Sequence, residues 1–508
     1  MRVAVELRAR WQRLVFGTGE DQWGFAWRIF WTSAAVYTLF LNPYMQSSMA
    51  WNYLDLTVSL IETGRPYLTH TAEYLESDTA QTPWGFASGL PPGPSFLLLP
   101  LQAILRMVLG PSEASVAVLN VVATLLLSIP AGATIAVLIY LQALRFGEDD
   151  EWSRLVAWLG AFGTQVFVLS TMYTKEILGT LAALAAFHMA SSVRGQAPRA
   201  SRCLLWVGFL ASLAGLMVYP LWIFLPCLAW YLFPETNRRQ LACLFLGAVP
   251  VGIILLAYNQ MTFGHPLLIG YLTRSDPSII LRLAWPRAQF LWDLTLGPAG
   301  GLIFYHPVLI LTPVAFRMAW NRSSLRRDVG FAGIALTALI LVYVPLLAAE
   351  YDNIDFIASV SLRYFFPGIP LLVASLAALH GRCRHLARNL GIVSVMLGIA
   401  FASAGLIPGR LMPLAYIAKV TATTLASGLL FADALPHFLG VETVHTTIAS
   451  RRITSAALWQ DPELPVLIAS QLAFRLLSLV PLLCIAAILA RVRFTAPKDQ
   501  SMDVVTPA

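Results

Sequence analysis

Five carboxylates, Asp55, Glu62, Glu73, Glu76 and Asp78, lie within 24 residues of one another. A carboxylate facing an apolar cleft beside lipid can serve as a general base or a metal ligand, because desolvation raises its pKa toward working pH. Asp55 and Glu62 are seven residues apart, on one helical face, and Glu76 and Asp78 fall in a turn. A solvated acidic loop is the plain alternative. The same stretch carries Trp51, Tyr53, Tyr67, Tyr74, Trp84 and Phe86. Rings between carboxylates suit sugar faces, and rings at a membrane surface also form an ordinary aromatic belt.

The elements that must position these groups are membrane helices. Of 508 residues, 57% are hydrophobic and 12% charged, far from the roughly 25% charge of a soluble domain. Apolar runs such as LACLFLGAVPVGIILLAY are unbroken, which excludes the alternating strands of a membrane β-barrel and leaves helices. The expected fold is an all-α polytopic integral membrane protein with about twelve spans, at 26–46, 114–143, 154–172, 177–193, 203–219, 221–233, 240–258, 301–320, 329–349, 365–381, 389–407 and 466–490. With both termini cytoplasmic, 21 Lys and Arg fall on inner segments against 11 on the longer outer ones, as the positive-inside rule requires. The +7 balance thus marks cytoplasmic loops and excludes nucleic-acid binding. The run 91–110, short and carrying Arg106, reads as an amphipathic helix on the outer surface.

This divides the chain into a basic cytoplasmic arm (1–25), a transmembrane module (26–380) with long outer loops at 47–113 and 259–300, further helices (381–490) with an outer loop at 408–465, and a cytoplasmic tail (491–508). The five cysteines fall in spans or on the inner side without zinc or CxxC spacing. The arm lacks a cleavage site after a short apolar core, so the first helix is retained.

Four segments carry a family resemblance. WNYLDLTVSLIETGRPYL with SDTAQTPWGFASGLPPGPSFLLLP resembles the first periplasmic loop of bacterial GT-C membrane glycosyltransferases, which use polyprenyl-phosphate sugars. YNQMTFGHPLLIGY (258–271), LGPAGGLIFYHPVLIL (296–311) and SLRYFFPGIPLL (361–372) are similar to later family segments in the same order. The chain departs from many members in having no acid directly after the first helix, where it reads QSSMAWNY. In the nearest subgroup an aspartate precedes an alanine, an aromatic-glycine pair and proline-glycine, here Asp78, Ala80, Trp84-Gly85 and Pro92-Gly93. That subgroup's lysine before the proline-glycine is replaced by Leu90-Pro91.

The resemblance implies a GT-C-like bundle in the bacterial cytoplasmic membrane and an inverting transfer on its periplasmic side. The donor would be a polyprenyl-phosphate-linked sugar, the acceptor a lipid, glycan or protein hydroxyl, and membrane lipids the surroundings. Asp78 is the first candidate base and Asp55 the second. The leaving phosphate needs a cation, for which Arg363, in the matching RYFFP segment, leads, ahead of Lys175 and Arg274. A snorkelling interfacial arginine is the plain reading of Arg363. Trp84, Tyr271, Tyr305 and His306 are candidate donor or acceptor contacts, and packing or capping is the plain reading of the last two. Some relatives use a divalent cation, Mg or Mn, near the loop carboxylate, though no His/Asp cluster in the chain demands one. The rivals are a transporter or flippase, a polymerase or ligase of lipid-linked sugars, and an inactive relative. A transporter would place charges at mid-membrane, whereas these collect in an outer loop.

Overall fold

A computed structural model describes residues 22–42, 48–69, 78–110, 113–147, 149–194, 200–272, 284–297, 301–350, 362–404 and most of 421–430. Its helices are α1 (Gln22–Leu39), α2 (Ser48–Thr63), α3 (Gly93–Leu109), α4 (Glu113–Ala123), α5 (Ile129–Phe146), α6 (Asp150–Phe162), α7 (Gln165–Ser170), α8 (Lys175–Val193), α9 (Ala200–Met217), α10 (Phe224–Leu232), α11 (Arg238–Phe263), α12 (Ala288–Thr295), α13 (Leu302–Tyr305), α14 (Thr312–Trp320), α15 (Arg326–Glu350), α16 (Ile369–Ser375) and α17 (Arg382–Ala404). Eleven of the twelve expected spans overlap helical segments, several of them broken into two or three pieces, and the twelfth, 466–490, lies outside the described residues. Among the described residues, five helices are long and apolar enough to cross a membrane, which makes this a multi-pass membrane protein. The remaining expected spans are shorter, broken or less apolar.

Prolines and a capping threonine explain most of the breaks. A π turn at Thr124–Ser128 joins α4 to α5 just before Pro130, which brings no N–H to the ladder. Short 3₁₀ turns containing Pro220, Pro307 and Pro367 open three further apolar segments. The expected span 154–172 is two helices, because Thr164 ends one and caps the next, its hydroxyl accepting from the Val166 N–H.

One element departs from the all-α expectation. Within the first long loop, β1 (Thr79–Thr82) and β2 (Gly85–Ser88) form an antiparallel hairpin, pairing Thr79 with Ser88 and Thr82 with Gly85. Pro83-Trp84 form the two-residue turn between Thr82 and Gly85, and Gly85 takes a positive φ of 136° there. Helices flank the hairpin: Glu62 of α2 faces Arg106 of α3 at 3.8 Å, while Ile104, Met107 and Val108 are left exposed on α3.

Helix ends meet at two opposite ends of the bundle. At one, the Asn42 N–H donates to the Thr171 carbonyl (2.8 Å), and the Tyr173 hydroxyl donates to the Pro94 carbonyl (2.7 Å). At the other, Arg322 donates to the Phe146 carbonyl (2.8 Å), the Trp152 indole donates to the Leu376 carbonyl (2.9 Å), and Arg384 pairs with Asp149 (2.5 Å). Asp328 lies at this second end, held by Arg145 and Arg194 at 3.3 Å each and by the Tyr231 hydroxyl.

Between the ends the core is aromatic and tightly packed. Phe25 meets Tyr140 at 4.6 Å, Phe187 stacks on Phe331 at 4.3 Å, and the Tyr37 hydroxyl donates to the Ala161 carbonyl. α8 is central, with 67% of its apolar window buried, whereas α11 is peripheral at 28%. α11 nevertheless packs closely on α9, because Gly208 and Gly247 let the backbones touch. A Cβ on Gly208 would stand 1.8 Å from the Leu244 carbonyl oxygen.

Candidate active site

The site is assembled at the Asn42–Thr171 end, around the start of α8. There the helix N-terminus carries Lys175 and Glu176 directly after Thr174. Lys175 is 2% exposed, unusual for a lysine. Its Nζ donates to the Tyr271 hydroxyl at 3.2 Å and stands 5.8 Å from that ring's centre. Tyr271 is held in the turn Gly270–Leu272. This turn presses on the end of the hairpin, where a Cβ on Gly270 would lie 2.8 Å from the Gly89 backbone, so only glycine fits. Tyr219 supports the Tyr271 ring edge-on at 5.3 Å.

Arg363 enters from the turn Leu362–Tyr364 and is 9% exposed. Its guanidinium lies 5.2 Å from the Tyr364 ring centre, and Tyr343 of α15 packs on that ring at 5.0 Å. Burial works against the Arg363 charge, but Tyr364, Glu176 and Asp78 outweigh it, so the group stays charged above its already high ordinary range. Its Nε is buried without a hydrogen-bond partner among the described residues.

Asp78 stands at the foot of the hairpin and is 9% exposed. Its carbonyl accepts from the Asn52 side chain and from the Gly89 N–H, both at 2.9 Å. These bonds tie the hairpin to α2 and fix where the carboxylate leaves the chain. One residue beyond Asn52 on α2, the Tyr53 phenol is held protonated, first by burial and then by Tyr271, Glu176, Asp78 and Tyr173 around it. Its hydroxyl is another buried group with no partner among the described residues.

Asp78, Lys175, Tyr271 and Arg363, four of the residues singled out in the sequence, thus share one neighbourhood. Glu176, Tyr53, Tyr343 and Tyr364 complete it. Of these, Tyr343 and Tyr364 had a signal that was passed over: a phenol inside an apolar span, and a phenol next to the selected arginine.

Other candidates are placed differently. Asp55 is buried on α2, where its Oδ1 accepts from the Ser59 hydroxyl (3.2 Å) and the Thr69 N–H (3.3 Å), pinning the chain that leaves the helix. Trp84 is 59% exposed at the hairpin tip, against Gly264. His306 is buried beside the break between α6 and α7, its Nδ1 3.2 Å from the Gly163 carbonyl. Tyr305 packs on Phe401 of α17 at 4.9 Å. Both are buried. Arg274, Glu73 and Glu76 lie outside the described residues.

Among the described residues, no group of three His, Cys, Asp or Glu is placed to hold a metal ion. The Asp78 carboxylate shares its space with the Arg363 guanidinium, and that charge competes with a divalent cation for it. Among the described residues, the donor set around Asp78 therefore does not fit the Mg or Mn that the resemblance admits. What the arrangement offers an anion is two buried cations and several phenols, beside the two carboxylates Asp78 and Glu176.

No protein-family model and no curated protein matches the sequence. Similar solved structures include the oligosaccharyltransferase AglB from Archaeoglobus fulgidus in complex with an inhibitory peptide and a dolichol-phosphate (12% identity, TM-score 0.44) and the Archaeoglobus fulgidus oligosaccharyltransferase in its apo form (13%, 0.47). Each comparison covers 79% of this chain and 58% of the archaeal one, so the chain spans less than two thirds of their length. ArnT from Cupriavidus metallidurans bound to undecaprenyl phosphate is similar over 92% of this chain and 78% of its own (13%, 0.45).

Proposed function

We propose that the chain is a GT-C glycosyltransferase that moves a sugar from a polyprenyl-phosphate donor to an acceptor hydroxyl of a lipid, glycan or protein. The observation that carries this reading is the burial of Lys175 and Arg363 beside Asp78 at one end of a lipid-embedded bundle. Asp78 and Glu176 balance these charges at a distance, but among the described residues neither cation makes a salt bridge and Arg363 leaves Nε unpartnered, so a lipid phosphate would give both a direct partner.

In this reading the donor phosphate lies between Lys175 and Arg363, with Arg274 as a further contact, and the sugar extends toward Asp78. The acceptor oxygen attacks the anomeric carbon from the face opposite the phosphate and gives its proton to Asp78. The bond from the anomeric carbon to the phosphate oxygen breaks, with its electron pair left on the phosphate. One displacement inverts the anomeric centre. Asp55 is the second candidate base. The bundle sits in the bacterial cytoplasmic membrane with about twelve spans and both termini cytoplasmic, and the loop 47–113 with the site faces the periplasm. The reading is also favoured by the order of the four family-like segments, two of which supply Asp78 and Arg363 to the same place.

The test is sugar transfer by the purified chain from a panel of polyprenyl-phosphate sugars. Wild type transfers at least one, and Asp78→Asn lowers turnover by about 10²–10⁴-fold while the protein stays folded. Unchanged turnover in Asp78→Asn moves the base to Asp55, and no transfer with no lipid-phosphate binding by wild type sinks the function.

A further inference from the structure

Glu176 supports the charges of Lys175 and Arg363 without a salt bridge to either. It follows Lys175 at the start of α8, is 3% exposed, and leaves Oε1 buried without a hydrogen-bond partner among the described residues. None of the described cations comes within salt-bridge distance of it, and the Lys175 ammonium is directed to Tyr271 instead. Its charge reaches Lys175, Arg363, Tyr53 and Tyr343, so it faces the space that Asp78 and the two cations share. A buried carboxylate with an unpartnered oxygen weakens the fold. Part of its use is to support the two buried cations, and the same charge also acts on any anion bound between them.

We propose that Glu176 sets the charge of the lipid phosphate that the site holds, favouring the monoanionic phosphodiester that carries the sugar over the dianionic phosphomonoester left after transfer. The inference rests on the donor reading above. During transfer the phosphate oxygen keeps the electron pair of the broken bond, so the phosphate gains one negative charge while Asp78 gains the acceptor's proton. Once Asp78 returns that proton to water, the phosphomonoester and the ionised Asp78 stand against two cations. Lys175 and Arg363 alone would retain the dianion more firmly than the donor, because attraction scales with charge. Glu176 opposes the dianion twice as strongly as the donor, so it promotes departure of the product.

The test uses the full chain in detergent and two lipids of the same chain length: a polyprenyl phosphate and its methyl ester, an unreactive monoanionic stand-in for the donor. Glu176→Gln should tighten the phosphomonoester about tenfold and the methyl ester about threefold, its square root, since the same potential acts on two charges and on one. Glu176→Asp should restore the wild-type ratio. In turnover, Glu176→Gln should lower KM for the donor and also kcat, with added polyprenyl phosphate inhibiting more strongly. An equal factor for both lipids, or weaker binding of both, overturns the proposal. So does wild type that already prefers the phosphomonoester by about tenfold or more, a result that needs no folded variant. Wild type that binds neither lipid removes the donor reading itself, and this inference with it.

Discussion

At the residue scale, the cation pair discriminates between anion binding and simple interfacial placement. A snorkelling arginine keeps its head in water, whereas Arg363 is buried against Tyr364 with Nε unpartnered among the described residues. Arg363→Ala should therefore weaken polyprenyl-phosphate binding by about tenfold or more, the worth of a charge-assisted hydrogen bond. Arg363→Lys should recover only part of it, because an ammonium lacks the planar fork. Native mass spectrometry of retained lipid phosphate reads both, and full affinity in Arg363→Ala would return the residue to a packing role. Lys175 and Arg363 stood out in the sequence because basic residues are few on the outer segments, and Asp78 stood out among five loop carboxylates only by the family resemblance. Glu176 was visible only as a neighbour of Lys175. Its part depends on where the carboxylate turns, which spacing along the chain does not specify.

At the element scale, the end of the bundle opposite the site is held by ions. Asp328, at the start of α15, is gripped by Arg145 of α5, by Arg194 beyond α8 and by Tyr231 of α10. Arg194 and Arg327 also share Glu235, at 2.8 and 3.1 Å. Four helices are joined through one buried carboxylate. Removing one member of such a group leaves the others desolvated and unpaired. Asp328→Ala should cost about 3 kcal/mol, read as a lower thermal midpoint in detergent, with lipid-phosphate affinity per folded molecule unchanged. An unaltered midpoint would show that the two arginines find other partners. Helix positions were readable from the apolar runs, and the proline-led 3₁₀ turns follow from residue type. The hairpin at 79–88 was hidden because its strands are four residues each, too short for a periodic pattern to stand out among aromatic and proline positions.

At the scale of the whole molecule, the two ends are chemically distinct: one gathers the candidate site, the other the Asp328 network. In the proposed orientation they face opposite sides of the membrane. Single cysteines at exposed positions decide this. Arg65→Cys should gain labelling over the parent chain from the periplasmic side in intact cells, and Ser324→Cys only after the membrane is opened. The reverse pattern would invert the orientation and place the site in the cytoplasm.

The sequence by itself determined that the chain lives in a membrane, roughly where its helices run, and which few charges are exceptional, because burial in lipid selects residue types directly and locally. Only the tertiary structure decided which of those charges meet. Asp78 reaches Arg363 across 285 positions of chain through the hairpin, α8 and the turn before α16. It also turned Asp55 onto the Thr69 backbone and set His306 beside Gly163. The physical reason is that such meetings come from the packing of helices that share one apolar code. In lipid that code says that a helix is buried, and not against which neighbour.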